Sequence, residues 1–168
     1  MNRRNLMTAL AGVAAAGMMP SIAIAQVRTA GIDPSKLPAL MGGDFSTATS
    51  KLALRMASDP AVRKFAELEI EEQAAVAKAF GARPGAARVR PDQAAMVEQL
   101  SAARGPMFDM MYIDGQIKGH RELLDIHRRY ARSGADATAG GASLVGITGI
   151  ESHLYLLDSL KRQVSRRA

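Results

Sequence analysis

Residues Phe108–Tyr130 read FDMMYIDGQIKGHRELLDIHRRY, and this stretch decides the fold. At 100° per residue, Phe108, Tyr112, Ile113, Ile117, Leu123, Leu124, Ile126 and Tyr130 share one broad arc, while Lys118, Arg121, Asp125, Arg128 and Arg129 occupy the opposite one. One apolar face and one charged face over six turns make a long amphipathic helix. It extends from about Met107, after the Gly105-Pro106 break, to Arg132 on the same outer arc. Four polar residues, Asp109, Gln116, His120 and His127, fall inside the apolar arc, within about 40° of one another.

The remaining segments follow the same period. Leu37, Met41, Phe45, Ala48, Leu52 and Met56 recur in steps of three and four, which predicts a first helix that Gly42-Gly43 should loosen near its start. Ser58-Asp59-Pro60 ends it and caps a second, with Val62, Phe65, Ala66, Val76, Ala77 and Phe80 inward and Gly81 as the stop. Glu69 and Gln73 lie within that inward face. A Pro/Gly/Arg loop, residues 82–90, leads to a short helix from Pro91-Asp92 to Ala103. Residues 133–142 read as a Gly/Ala loop, with at most a frayed turn near Asp136. A fourth long helix then runs from about Ser143 to Arg166, with the stripe Ile150, His153, Leu157, Leu160 and Val164. No segment alternates with the period of a strand. The expected architecture is all-α: an antiparallel four-helix bundle with a short extra helix in the crossover between helices 2 and 3.

The first 25 residues read as a signal peptide, cleaved after Ala25 and of twin-arginine type. Arg3-Arg4 precede an uncharged run from Leu6 to Met19, and Ala23-Ile24-Ala25 form a small-x-small site. An ordinary secretory signal with two chance arginines is the alternative route. The apolar run is short of the roughly 20 residues of a membrane span, and none is expected in the mature chain. Residues 26–36 read as a flexible linker and 37–168 as the domain. The expected location is the periplasm. Removing the signal takes away two of the 22 basic residues and lowers the net charge from +6 to +4. The basic clusters at 83–90 and 161–167 lack interleaved aromatics, so no nucleic-acid partner is expected. An envelope partner of unknown identity is expected, and the oligomeric state is left open. The absence of cysteine excludes thiol catalysis, thiolate metal sites, c-type haem attachment and a lipoprotein anchor.

All three histidines, His120, His127 and His153, therefore point inward, beside Glu69 and Asp109. Two readings compete. In one, these side chains hydrogen-bond each other and fix helix register. In the other, they converge on a metal ion. A di-iron carboxylate centre needs Glu-x-x-His on two helices, yet Ile117, Leu124 and Ile150 stand three residues before the histidines. The hydrogen-bonded seam is accordingly the leading expectation: no cofactor, no metal, no catalytic residues, and a non-enzymatic binding or envelope-maintenance role. The alternative is a periplasmic metal-binding protein drawing on Glu69, Asp109, His120, His127 and His153. No nucleophile elbow, P-loop, dinucleotide fingerprint or His-Glu-x-x-His occurs. A Ser101/His120/Asp109 triad is not selected by any spacing. The methionines at 107, 110 and 111 read as gap-filling core rather than copper ligands.

The run Ala57–Ala66, the run Phe108–Ile113, His120 and the late Ile150-Glu151-Ser152-His153-Leu154 resemble an exported bacterial family, domain-of-unknown-function family 4142, often labelled as a membrane protein. The resemblance covers roughly residues 37–164. It implies a ferritin-like helical bundle and an exported location, and maps the family's Asp-x-x-Tyr pair onto Asp109 and Tyr112 and its histidines onto His120 and His153. It implies no activity. Two departures stand out: a family histidine falls where this chain has Gln73, and a family glutamate falls around Ser46 and Ala48.

Overall fold

A computed structural model describes residues 31–167. The signal peptide, its cleavage site and the first part of the linker lie outside the described residues. Five helices follow one another, α1 (Leu37–Met56), α2 (Pro60–Ala79), α3 (Pro91–Ala102), α4 (Gly105–Ser133) and α5 (Ala137–Ser165), and the described residues contain no strand. The four long helices pack in a ring, α1 on α2 and α4, and α5 on α4 and α2, while α3 covers α1 and α4 from outside. Paired side chains run in opposite directions along each contact. Ser46 meets Gln116 and Ser50 meets Tyr112 across α1 and α4; His120 meets His153 and His127 meets Ser143 across α4 and α5. Neighbouring long helices are thus antiparallel.

The corner between α1 and α2 is built as its sequence suggests. Pro60 opens α2, and Asp59 caps it by accepting from the backbone N–H of Ala61 at 2.8 Å. Asp109 reaches over from α4 to accept from the N–H of Ser58 at 3.0 Å, the N–H of Asp59 at 2.9 Å and the Ser58 hydroxyl. A buried carboxylate with three donors replaces its hydration in full, which is why this inward acid is tolerated. Asp109→Ala is expected to cost about 2–3 kcal/mol by leaving those donors unpaired, as measured by denaturant unfolding.

Four expectations need correction. First, α5 begins at Ala137 rather than Ser143. Asp136 accepts from the N–H groups of Thr138 and Ala139 and is paired with Lys36 at 2.5 Å, and Ala139 is buried, so capping and packing carry the helix through Gly140-Gly141. Second, the end of the expected linker is anchored at two points: Lys36 Nζ also donates to the carbonyl of Phe80 at 3.1 Å, and Ile32 packs on the cluster that contains Phe80 and Ala139, while residues 33–35 are exposed. Third, the most buried face of α1 is not its apolar stripe. Gly42, Gly43, Ser46, Thr49, Ser50 and Ala53 are buried, whereas of the stripe only Phe45 is buried and Leu37, Met41, Ala48, Leu52 and Met56 are half-buried. Fourth, Met107 is 65% exposed at the start of α4; only Met110 and Met111 pack on the core.

The glycines of α1 explain the third correction. A Cβ on Gly42 would lie 2.6 Å from Leu123 Cδ2, and one on Gly43 would lie 2.6 Å from Gln73 Oε1. Rather than loosening the helix, the pair lets α1 approach its neighbours closely enough for small hydroxyl side chains to bridge them. Gly42→Ala is expected to cost about 1–3 kcal/mol through overpacking, visible as a lowered midpoint in denaturant unfolding.

Candidate metal centre

Three of the four long helices each present one ligand-type side chain to a common point. On α2, Glu69 follows Phe65 by one turn and precedes Gln73 by one, and its side chain is fully buried. His120 occupies the inward face of α4 and is also buried, at 1% exposure. His153 comes from the stripe of α5 and keeps 15% exposure. Glu69 Oε2 lies 3.3 Å from His120 Nε2 and 3.2 Å from His153 Nδ1, and the two nitrogens lie 3.2 Å apart. The three atoms form a nearly equilateral triangle.

The outer partners of each group determine what those atoms offer. His120 Nδ1 is 2.9 Å from the carbonyl oxygen of Gln116, which only accepts, so Nδ1 carries the proton and Nε2 of the neutral ring presents a lone pair to the triangle. His153 Nε2 lies 3.2 Å from Glu72 Oε2, and that carboxylate favours a proton on Nε2, again leaving Nδ1 to face inward as an acceptor. Glu69 Oε1 is satisfied by the Ser46 hydroxyl at 2.6 Å and by Gln73 Nε2 at 2.9 Å. Oε2 has no well-aligned hydrogen-bond donor, its neighbours being the two imidazole nitrogens at 3.2 and 3.3 Å. A buried carboxylate oxygen without a donor, facing two imidazole nitrogens, is costly unless a positive charge sits among the three.

Either a proton or a metal ion supplies that charge. Burial alone would raise the Glu69 carboxyl, but the two imidazoles and Ser46 outweigh burial and hold it well below the usual carboxylate range. The same contact with Glu69 raises His153 against its own partial burial, so in the ion-free protein this ring keeps a proton to higher pH than an ordinary imidazole. Burial raises Glu72, with the His153 charge opposing it. A proton on His153 Nδ1 points along one line and serves one acceptor well; an ion equidistant from all three serves each. For a tetrahedral ion with bonds of about 2.0–2.1 Å, adjacent ligand atoms stand roughly 3.3–3.4 Å apart, close to the spacing found here.

Of the five residues nominated from the sequence, Glu69, His120 and His153 come together and Asp109 and His127 do not. Asp109 caps the α1–α2 corner. His127 lies two turns along α4, bonded through Nδ1 to Ser143 Oγ at 3.0 Å and edge-on to Phe80, and burial pushes its pKa down to about 4. Tyr112 bonds Ser50 at 2.8 Å, and burial raises its phenol. Ser101 bonds the carbonyl of Glu98 and takes no part with His120 or Asp109.

One residue escaped the sequence reading. Glu72 follows Glu69 by one helical turn, and that Glu-x-x-Glu spacing was a legible signal of a second acid behind the first. Ser46 was singled out only through the family resemblance, since a lone serine in an Ala/Gly/Ser helix carries no signal of its own.

The family model for the domain of unknown function DUF4142 matches residues 38–154, and the chain belongs to that family. No curated protein and no solved structure matches the chain. Of the positions where the sequence departs from the family, around Ser46 and Ala48 and at Gln73, Ser46 and Gln73 supply the two side chains that bond Glu69 Oε1.

Proposed function

We propose that the protein binds a single divalent transition-metal ion through Glu69, His120 and His153, as an exported, non-enzymatic binding protein of the cell envelope. The observation that carries the metal reading is the fully buried Glu69 Oε2, with no hydrogen bond and two imidazole nitrogens at 3.2 and 3.3 Å. Imidazole and carboxylate donors at tetrahedral spacing suit zinc best among the common ions. Export rests on the reading of residues 1–25, and binding rather than catalysis on the lack of any catalytic motif. No helix among the described residues is long and apolar enough to cross a membrane.

Metal content of protein purified without added chelator tests this reading, alongside melting curves with and without chelator. One zinc per chain and a melt lowered by chelator are expected; at a free-ion concentration 1,000 times Kd, binding adds about 4.1 kcal/mol. A metal-free protein whose melt ignores both zinc and chelator overturns it.

The hydrogen-bonded seam has its own support in the 3.2 Å contact between His120 Nε2 and His153 Nδ1 and in the raised His153. The pH dependence separates the two. In ion-free protein, the raised His153 contributes stability that is complete below its ordinary pKa of about 6.5 and is lost as pH rises through its raised value. Glu69 and His127, both held below their ordinary values, lose their contributions as pH falls. Ion-free stability should therefore decline on both sides. With saturating zinc the alkaline loss should disappear, because ion binding displaces the proton and strengthens as pH rises. Melts across about pH 5–9, with and without zinc, check this.

A further inference from the structure

We infer that an ion held by Glu69, His120 and His153 keeps one coordination position for a ligand from solution, a water or a small monodentate anion, reached past His153. This rests on the metal reading and names the class of ligand the loaded site takes.

The donor count is the first ground. Among the described residues, three ligand atoms face one another and no fourth joins them. Every polar neighbour is committed elsewhere. Glu72 sits behind His153, against its far nitrogen. Glu69 Oε1 is filled by Ser46 and Gln73. The Gln116 amide nitrogen bonds Thr49 Oγ1 at 2.9 Å and Ser50 Oγ at 3.3 Å, while its oxygen lies 2.8 Å from Ser46 Oγ and shares that hydroxyl's single proton with Glu69 Oε1. The Tyr112 hydroxyl bonds Ser50. Three protein donors plus one exchangeable ligand is the pattern of open zinc sites, whereas closed structural sites take all four from protein.

Geometry is the second ground. An ion about 2.0–2.1 Å from three atoms at this spacing stands roughly 0.8 Å out of their plane, with all three on one side. The opposite vertex has no His, Cys, Asp or Glu ligand atom among the described residues to fill it. Access is the third. Glu69 and His120 side chains are 0% and 1% exposed, but His153 keeps 15% and Glu72 keeps 32%. Glu72, Gly149 and Ser152 line a groove of about 680 Å³ between α2 and α5; Ser152 is the chain neighbour of His153 and Glu72 its ion-pair partner, so the groove adjoins the exposed ligand. Charge is the fourth. One carboxylate and two neutral imidazoles leave a divalent ion with a net charge of +1 among its ligands, with the Glu72 carboxylate behind His153 as the next charge, so the position takes a neutral water or a small monoanion.

Cobalt(II) substitution reads this out. Chelator-treated protein loaded with one equivalent of cobalt(II) should show visible d–d absorption, and titration with azide should shift the bands saturably. His153→Gly, loaded in the presence of free imidazole, should recover cobalt binding, since the exposed arm is the one solution can replace. Cobalt bands that stay fixed up to molar azide would overturn the open position while leaving the metal site intact. No cobalt bands at all would overturn the metal reading, and this inference with it.

Discussion

Glu69→Gln is expected to abolish zinc binding and, at a pH where His153 is neutral, to leave the ion-free protein as stable as the parent, or more so. The loss of affinity should exceed the 10–100-fold that follows removal of an outer-shell partner, because Glu69 is the only charged ligand of the three. About 4 kcal/mol of zinc-dependent stability at 1,000 Kd should vanish with it. The ion-free result has the opposite sense for a physical reason. Glutamine keeps an oxygen for Ser46 and Gln73 and turns its amide N–H toward the imidazole lone pairs, so a fully buried charge with an orphaned oxygen becomes a neutral, satisfied group. At lower pH, where His153 carries its proton in the ion-free protein, losing Glu69 strands that charge at a cost of about 3–5 kcal/mol, whereas a seam held permanently by the ion pair predicts that cost at every pH. Chemical unfolding of the ion-free variant, followed by zinc titration, distinguishes the two.

The second large effect is at His120. His120→Ala leaves a cavity among Phe65, Gln116 and His153 and frees the Gln116 carbonyl, and should cost about 2–4 kcal/mol in the ion-free protein. His120→Gln keeps a polar group that donates and accepts, so it should cost appreciably less. Toward zinc the two variants converge: both lack the imidazole nitrogen, and both should lose zinc-dependent stabilisation. A glutamine variant that still melts higher with zinc would place the ion elsewhere, and His127→Ala would then serve as the comparison.

Which parts of this were legible in the sequence follows from what each signal measures. Helical periodicity reports burial against an average surface, and it placed α4 well: Asp109, Gln116, His120 and His127 are all buried, and Lys118, Arg121, Arg128 and Arg129 are all exposed. It failed on α1, where close approach to Leu123 and Gln73 selects glycine and serine over large apolar residues, so the buried face looks weakly amphipathic. It shortened α5 because Gly140-Gly141 has poor intrinsic helix propensity, while the cap at Asp136 and the burial of Ala139 are tertiary effects. The candidate site divided in the same way. A helical wheel assigns an azimuth, and Glu69, His120 and His153 share the right one with Asp109 and His127. Only height along the bundle separates them, and that depends on the lengths of the α1–α2 and α4–α5 connections. Searching for Glu-x-x-His also looked past Glu69-x-x-Glu72, in which the second acid orients the histidine of another helix instead of joining its own.

The most direct measurement of the central claim is an anomalous difference map at the zinc edge from crystals of chelator-treated protein given one equivalent of zinc. The account predicts one peak per chain, about 2.0–2.2 Å from Glu69 Oε2, His120 Nε2 and His153 Nδ1, with a fourth ligand that is not protein. No peak there, with the two imidazoles and Glu69 still in mutual contact, would contradict it.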